Sequence, residues 1–385
     1  MNVLSLFDGM SCGQIALKEL GIPIEHYYAS EIDQWAIKQT QYNFPNTIQL
    51  GDVRNVCVDN LAKIDLLIGG SPCQGFSVAG EQLAFDDPRS VLFFEYVRIL
   101  HEVRAVNPNV KFLLENVRMK KEFQKVISDS LGLEPVTINS ALVSAQNRVR
   151  LYWTNIRIFQ NDIFGREIFT AIPQPKDRGL VIRDVIDREV DEKYFLSPKT
   201  IEVILKHNQS YKNKGYGFQV KIPSLDEKAG AVIVGGRGWT DLIDLGEEYA
   251  CVPGTWRTFK DDHGFRPLRG NKFGCVAARA RQDGSGQNCS LIIQKPKILQ
   301  LSRGFNKGGV FEIKVPTLTS SGWERNNFLI WYGRIRRLTP TECARLQTIP
   351  NGYRWRCSET QQYKLLGNGW TVEVIKHIFS YFYER

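Results

Sequence analysis

The alternation of short apolar runs with helix-like segments over the first 160 residues is the feature that most constrains the fold of this chain. Periodicity predicts strands at 2–7, 26–30, 48–51, 65–68, 110–114, 134–140 and 150–156, and helices at 13–20, 33–43, 89–106 and 120–131. Apolar strands that alternate with helices are typical of parallel sheets covered on both faces. We therefore expect an α/β fold built on a doubly wound, mostly parallel sheet.

The residues at three predicted helix ends support these boundaries. Asp33 is a candidate N-cap, because its carboxylate can accept a backbone N–H from the first turn. Gly132 is a candidate C-terminal stop. Far downstream, Thr339 is followed by Pro340 and Glu342, which is the pattern of a capping box.

The middle of the chain differs from both ends. Residues 187–330 are rich in Gly, Lys, Arg and Asn and contain short β-like pieces, whereas 371–383 again form an amphipathic helical pattern. A closing helix this far from the first sheet predicts that the chain returns to that sheet. The middle segment would then be a large insertion.

Length, charge and cysteine content narrow the protein class. The 385 residues are enough for two domains, and no apolar run approaches the ~20 residues that cross a bilayer. The N-terminus has no signal-peptide pattern. The eight cysteines lack the spacing of a disulfide scaffold or a zinc site, so we expect reduced thiols, no metal and a cytosolic location. The net charge of +9 is compatible with a polyanionic partner.

A cysteine and a glutamate follow two of the predicted strands. The turn Gly-Gly-Ser-Pro-Cys at 69–73 comes after the run at 65–68, and Glu115 comes after the run at 110–114. Ligands bind beyond the carboxyl ends of strands in open α/β sheets. Cys73 is therefore a candidate nucleophile and Glu115 a candidate proton donor, a pairing suited to attack on a heteroaromatic ring. The alternative for Cys73 is a structural thiol.

Three further features are expected at the same edge of the sheet. The small-residue turn at 7–13 would let a ligand approach the first helix. Glu31 and Asp52, at the ends of the second and third strands, could bind the ribose and the adenine of an adenosine-bearing cofactor. A plain turn and two surface carboxylates are the alternative, and the pattern is not the usual NAD fingerprint.

Two arginines lie two residues apart at the start of the predicted strand 150–156, one at its first residue and one just before it. Arg148 and Arg150 would share one face of a strand. One of them could polarise a ring carbonyl while the other braces a phosphate or the turn that carries the thiol. A solvated strand face is the alternative.

These pieces, in this order, resemble the DNA cytosine-5 methyltransferase family, over about residues 1–160 and 334–385. The motifs that carry the resemblance are the loop at 7–13, the acids Glu31 and Asp52, the turn Ser71-Pro72-Cys73-Gln74, the acid motif Glu115-Asn116-Val117, the arginine motif Gln146-x-Arg148-x-Arg150, the block at 337–347, and Leu366-Gly367-Asn368-Gly369 with Val372. Departures from the family pattern are Asp8, Ser11-Cys12, Ile32 and Gly369-Trp370.

The resemblance implies a Rossmann-like methyltransferase with an inserted, smaller, β-rich target recognition domain. It implies that Cys73 adds to C6 of a cytosine flipped out of duplex DNA, with the methyl group of S-adenosylmethionine transferred to C5. Glu115 would protonate or hydrogen-bond N3, and Arg150, braced by Arg148, would hold the ring carbonyl.

The resemblance also implies the remaining site residues. The cofactor site would comprise Phe7, Asp8, Gly9, Glu31, Ile32, Asp52, Val53, Pro72, Leu92, Asn368 and Trp370. DNA contacts are expected from Gln74, Ser77, Arg237, Arg257, Arg279 and Arg281. The catalytic domain would span 1–185 and 360–385, the target recognition domain 186–332 and a hinge 333–359.

We further expect a monomer in the bacterial cytoplasm that acts independently of any cognate restriction endonuclease. Two alternatives remain open from the sequence. The first is a methyltransferase that uses the same chemistry on RNA, whose family branch has a short recognition region. The second is a catalytically inactive DNA-binding relative, which should have lost the thiol, the acid or the cofactor loop.

Overall fold

The computed structural model describes residues 1–72, 91–160, 168–187, 189–195, 226–229 and 335–383, together with the backbone of short strands between 242 and 330. The first part of the chain forms β1 (Asn2–Leu6), α1 (Cys12–Glu19), β2 (His26–Ser30), α2 (Gln34–Asn43), β3 (Ile48–Gln49), β4 (Leu66–Gly69), α3 (Val91–Val106), β5 (Lys111–Val117), α4 (Lys121–Leu131), β6 (Val136–Asn139), β7 (Val149–Thr154), β8 (Ile158–Gln160) and β9 (Ile168–Thr170).

The later elements are shorter. They are β10 (Leu242–Asp244), β11 (Gly254–Phe259), β12 (Asp262–Pro267), β13 (Lys297–Gln300), β14 (Gly309–Phe311), β15 (Asn327–Ile330), β16 (Ile335–Arg337), α5 (Pro340–Leu346), α6 (Glu359–Asn368) and α7 (Val372–Ser380). The predicted strands and helices of the first 160 residues are all present, although β3 is shorter than the predicted 48–51.

The first seven strands form one sheet in the order β3-β2-β1-β4-β5-β7-β6. Strands β3, β2, β1, β4 and β5 pair in parallel, whereas β7 runs antiparallel to both β5 and β6. The order reverses at β1, which pairs with β2 on one side and β4 on the other. This arrangement confirms the doubly wound, mostly parallel sheet, and it places the ends of β1, β2, β4 and β5 on one edge.

Both faces of the sheet are buried, because successive strand residues point to opposite sides. Leu4 and Leu67 pack with Phe93 and Tyr96 of α3 in one core cluster. On the other face, α1 approaches so closely that a Cβ on Gly13 would lie 2.2 Å from Cδ1 of Ile68. Any larger residue here would require the Ile68 side chain to move, so glycine lets the start of α1 lie directly against the sheet.

The chain returns to this sheet at its end, as the sequence predicts. Helix α7 packs on α1, and Oγ of Ser140, next to β6, donates a hydrogen bond to Oγ1 of Thr371 at 2.8 Å. The chain divides into two compact units, one of 1–187, 226–241 and 338–385 and the other of 188–225 and 242–337. No helix in the described part of the chain combines the length and the apolar character needed to span a bilayer.

The predicted helix caps are confirmed. The Asp33 carboxylate accepts the Trp35 N–H at 2.9 Å, and Gly132 ends α4 in the left-handed conformation at φ 78°. At α5, Oγ1 of Thr339 accepts the Glu342 N–H at 3.2 Å, and Oε2 of Glu342 accepts the Thr339 N–H at 2.7 Å.

Replacing Thr339 by alanine is expected to lower the free energy of unfolding by about 1 kcal/mol, because it removes the oxygen that caps α5. Urea unfolding of the two proteins measures the difference. Thr339→Ser, which keeps the hydroxyl, is the matched control. An equal loss in both variants would show that the methyl group, and not the cap, stabilises this helix end.

Candidate active site

The loop between β1 and α1 has an unusual backbone. Phe7, Gly9 and Ser11 all have positive φ angles, of 58°, 58° and 65°. Phe7 and Ser11 are not glycine, so the surrounding structure must hold this conformation against its intrinsic cost. Ser11 is the N-cap residue of α1 but makes no side-chain cap, which leaves the N-terminal N–H groups of the helix directed towards the loop.

Glu31 ties this loop to the end of β2. Its Oε2 accepts the Gly9 N–H at 2.8 Å, and its Oε1 accepts the N–H groups of Ile32 and Asp33, both at 2.8 Å. Three backbone donors fix the orientation of the carboxylate. Each oxygen of a carboxylate has two acceptor sites, so Oε2 retains capacity for a ligand hydroxyl. The Ile32 residue beside it is 67% exposed.

Asp8, one of the departures from the family pattern, has a buried carboxylate in the loop between β1 and α1. Its Oδ1 accepts hydrogen bonds from the hydroxyls of Tyr27, at 2.9 Å, and Ser11, at 3.2 Å. Its Oδ2 is buried and has no hydrogen-bond partner in the described part of the chain. Loss of hydration on burial raises the pKa of Asp8 to about 6. A buried carboxylate oxygen without a partner is suited to a cationic ligand group.

Asp52 follows β3, and its carboxylate is paired with the side chain of Arg54. Its carboxylate accepts the backbone N–H of Arg54 at 3.0 Å and binds the Arg54 guanidinium. These hydrogen bonds lower the pKa of Asp52 to about 2. Asp52 therefore caps the short helical turn Val53–Asn55, and Val53 is buried behind it.

The predicted acid, Glu115, forms the centre of a second cluster. It is 8% exposed in β5, and its Oε1 lies 3.0 Å from Nε of Arg150 in the neighbouring β7. Its Oε2 accepts a hydrogen bond from Nε1 of Trp370 at 3.1 Å. Arg150 is largely buried and also donates from Nη1 to the Val149 carbonyl oxygen at 2.9 Å. The sequence did not predict the contact of Trp370 with the acid.

Arg148 has a different location from Arg150. It precedes β7, is 4% exposed, and donates from Nη2 to the carbonyl oxygens of Gly369, at 3.0 Å, and Gly367, at 3.3 Å. These carbonyls lie at the C-terminal end of α6, where a cation is favoured. Burial lowers the pKa of Arg148 to about 10, so it stays charged near neutral pH. Arg150 forms an ion pair with Glu115, whereas Arg148 binds the glycine turn at the end of α6.

The turn that leads to the predicted nucleophile is held against Glu115. Nδ2 of Asn116 donates to Oγ of Ser71 at 3.2 Å, and both residues are buried. Pro72 follows Ser71 and is half-buried. This hydrogen bond joins the segment after β4 to β5, and it connects the turn that precedes Cys73 to the residue after Glu115. The sequence marked Asn116 only as part of a motif.

The other predicted site residues are distributed as follows. Leu92 packs in the first turn of α3 against the core, and Asn368 is exposed at the last residue of α6. Arg257 lies in β11, paired with Gly264 of β12. Cys73, Gln74, Ser77, Arg237, Arg279 and Arg281 lie outside the described residues.

Comparison with known proteins gives a consistent result. The profile of the family described as C-5 cytosine-specific DNA methylase matches residues 1–384. The orphan methyltransferase M.SPRI of Bacillus phage SPR is 28% identical over 440 residues, covering 99% of this chain and 97% of that protein. The type II methyltransferase M.HpaII of Haemophilus parainfluenzae is 32% identical over 253 residues, covering 61% and 67%.

Solved structures share the fold at lower identity. A mutant of Spodoptera frugiperda DNMT2 aligns with a TM-score of 0.57 at 20% identity, covering 100% of this chain and 99% of that one. The Entamoeba histolytica methyltransferase EhMeth aligns with the same TM-score at 15% identity, covering 100% and 98%.

Proposed function

The chain belongs to the C-5 cytosine-specific DNA methylase family and is an S-adenosylmethionine-dependent enzyme that methylates C5 of cytosine in double-stranded DNA; from this premise we propose that Cys73, Glu115 and Arg150 carry out the reaction. The observation that supports this assignment is the buried ion pair between Glu115 and Arg150. It lies beside the turn that leads to Cys73, which Asn116 holds through Ser71.

The chemistry explains why these three side chains belong together. C5 of cytosine is a poor nucleophile until a group adds at C6. The Cys73 thiolate adds to C6, Glu115 donates a proton or a hydrogen bond to N3, and Arg150 holds the ring carbonyl. Negative charge that would build up in the ring is thus neutralised as it forms. After methyl transfer, a base takes the C5 proton, the bond from C6 to sulfur breaks to restore the thiolate, and the proton at N3 returns to Glu115.

The hydrogen bonds of Arg148 indicate that this residue stabilises the turn at the end of α6. Its guanidinium binds the carbonyl oxygens of Gly367 and Gly369, in the turn that precedes Trp370. We therefore propose that Arg148 fixes the C-terminal glycine turn and that Arg150 contacts the base.

The cofactor site proposed from the sequence fits the geometry of the first loop. S-adenosylmethionine supplies an electrophilic methyl group on a cationic sulfur. Glu31 offers an acceptor for ribose hydroxyls beside Gly9, and Oδ2 of Asp8 offers a buried acceptor for a cationic group. We propose that the adenine binds next to Ile32, which is exposed, and Val53. Because Asp52 is paired with Arg54, we propose that the adenine amino group reaches only its remaining acceptor sites.

The affinity for S-adenosylmethionine is expected to weaken about fourfold between pH 7.0 and pH 5.5. The pKa of Asp8 is raised to about 6, so its carboxylate is ionised above that pH and neutral below it. Only the ionised form attracts the cationic cofactor. Calorimetric titration at the two pH values measures the effect. Asp8→Asn should have nearly the same affinity at both, and an unchanged fourfold difference in that variant would assign it to another group.

We propose that the inserted segment at 186–332 is the target recognition domain, with the catalytic domain at 1–185 and 360–385 and a hinge at 333–359. The pairing of β11 with β12 and of β13 with β14 and β15 supports its β-rich character. Its arginines would contact bases or phosphates of the DNA, Arg237, Arg257, Arg279 and Arg281 among them. Gln74 and Ser77, next to Cys73, would face the DNA from the catalytic side.

The proposal extends to assembly and location. We propose that the protein is a monomer that acts independently of any endonuclease. The phage and bacterial sources of the relatives support a bacterial cytoplasmic location.

Methylation of DNA in cells tests the proposed function and its RNA alternative. Bisulfite sequencing of DNA from bacteria that express the protein should show methylated cytosine within one recurring short sequence. The same preparation should transfer labelled methyl groups to duplex DNA and not to tRNA. Transfer to tRNA alone would favour the RNA alternative, and no transfer to either would favour an inactive relative.

A further inference from the structure

One side chain outside the proposed catalytic group links the acid to two other parts of the site. Nε1 of Trp370 donates to Oε2 of Glu115 at 3.1 Å. A Cβ on Gly70, in the turn before Cys73, would lie 2.9 Å from that nitrogen and 3.1 Å from Oε2 of Glu115. A Cβ on Gly13, at the start of α1, would lie 3.6 Å from Cζ3 of the indole. The indole therefore lies among the cofactor helix, the turn that leads to Cys73, and the acid.

The backbone that carries Trp370 is fixed on both sides. On one side, the Gly369 carbonyl oxygen accepts hydrogen bonds from Arg148, at 3.0 Å, and from Nε2 of Gln347, at 3.2 Å. On the other side, Oγ1 of Thr371 donates to Oε1 of Gln347 at 2.9 Å. All of these groups are buried. Buried and satisfied networks of this kind hold a side chain in one orientation.

The two oxygens of Glu115 have different partners. Oε1 pairs with Arg150 in the neighbouring strand, and Oε2 accepts the hydrogen bond from Trp370. Arg150 alone would leave the carboxyl free to rotate about its last bond. A second donor on the other oxygen fixes the plane of the group.

We propose that Trp370 is a positioning residue for the acid, whose indole N–H holds the Glu115 carboxyl in the orientation that meets N3 of the flipped cytosine. The inference rests on the proposed role of Glu115. It assigns to Trp370 a contribution to ring activation that is separate from any contact with the cofactor.

Exchange of the C5 hydrogen of cytosine with solvent tests this proposal without the cofactor. Addition of Cys73 to C6, with N3 protonated, makes C5 basic enough to take up a proton from solvent. Loss of the original hydrogen and of the thiolate then restores the ring. Trp370→Phe keeps an aromatic ring but removes the N–H. It should slow release of tritium from DNA labelled at C5 about tenfold or more, while the dissociation constant of S-adenosylmethionine changes less than threefold.

The control and the double variant separate a positioning role from a structural one. Trp153→Phe removes another buried indole N–H, which donates to Oγ of Ser128 at 3.0 Å, and should leave the exchange rate per folded protein unchanged. Each exchange rate is divided by the concentration of cofactor-binding sites, which calorimetric titration measures. Misfolded protein that does not bind the cofactor therefore does not affect the comparison. In the Glu115→Ala background, where the indole N–H has no side-chain oxygen at position 115 to hold, Trp370→Phe should change the exchange rate less than twofold.

The outcomes distinguish the inference from its premise. Normal exchange in Trp370→Phe, or an equal tenfold loss in the Glu115→Ala background, would overturn the positioning role of Trp370. If Glu115→Gln by itself exchanges and methylates at the normal rate, the acid has been assigned wrongly and the proposed function fails at that residue.

Discussion

Replacing Cys73 by serine is expected to lower methyl transfer about 10⁴-fold or more, the scale of loss seen when a catalytic nucleophile is removed. A serine hydroxyl is far less ionised than a cysteine thiol near neutral pH, so it does not add to C6. Without that addition, C5 has no nucleophilic character and the methyl group is not transferred. Steady-state transfer of a labelled methyl group to duplex DNA measures the loss.

Covalent capture gives a second measurement on the same variant. Fluorine at C5 of the target cytosine does not leave as a proton does, so the enzyme stays bonded to a 5-fluorocytosine duplex after methyl transfer. The unaltered protein should form this complex and Cys73→Ser should not. Cys57→Ser, at an exposed thiol on the surface, is the matched control and should be captured normally. Capture of Cys73→Ser would place the nucleophile at another residue.

Replacing Glu115 by glutamine is expected to slow methyl transfer about 10²–10³-fold. Glutamine keeps the shape of the side chain, and its amide oxygen can still accept the Trp370 N–H. It cannot protonate N3, and it loses the charge that pairs with Arg150. The affinity for duplex DNA should change less than threefold, because Glu115 acts on the ring after the base has entered the site.

A second half-buried carboxylate provides the matched control for charge loss. Oε2 of Glu134 accepts a hydrogen bond from Oγ of Ser128, in α4, at 3.0 Å. Glu134→Gln should retain the normal rate of methyl transfer. Comparable turnover in Glu115→Gln and Glu134→Gln would show that protonation of the ring depends on a different group.

Features that depend on neighbouring residues were predicted correctly from the sequence. The cap at Asp33, the stop at Gly132 and the capping box at Thr339 each need only a side chain and a backbone group within a few residues. The order of strands and helices in the first 160 residues was also predicted, because a buried strand and an amphipathic helix differ in their apolar period.

Features that join distant parts of the chain were not predictable in the same way. The sequence placed Arg148 and Arg150 together on one strand face. In the structure Arg148 binds Gly369, which lies 221 residues further along the chain. Nothing in the local pattern of either arginine shows which carbonyl or carboxylate will pack beside it.

The sequence by itself determined the fold class, the family and the identity of the candidate acid and nucleophile, because these depend on apolar periodicity and on short motifs in a fixed order. The tertiary structure alone decided how the acid is held. Trp370 is 255 residues from Glu115 and meets it only because α7 returns to pack on α1 and brings the preceding turn to the sheet edge. Hydrogen bonds between side chains depend on distances of a few tenths of an ångström, which long-range packing sets and local sequence does not.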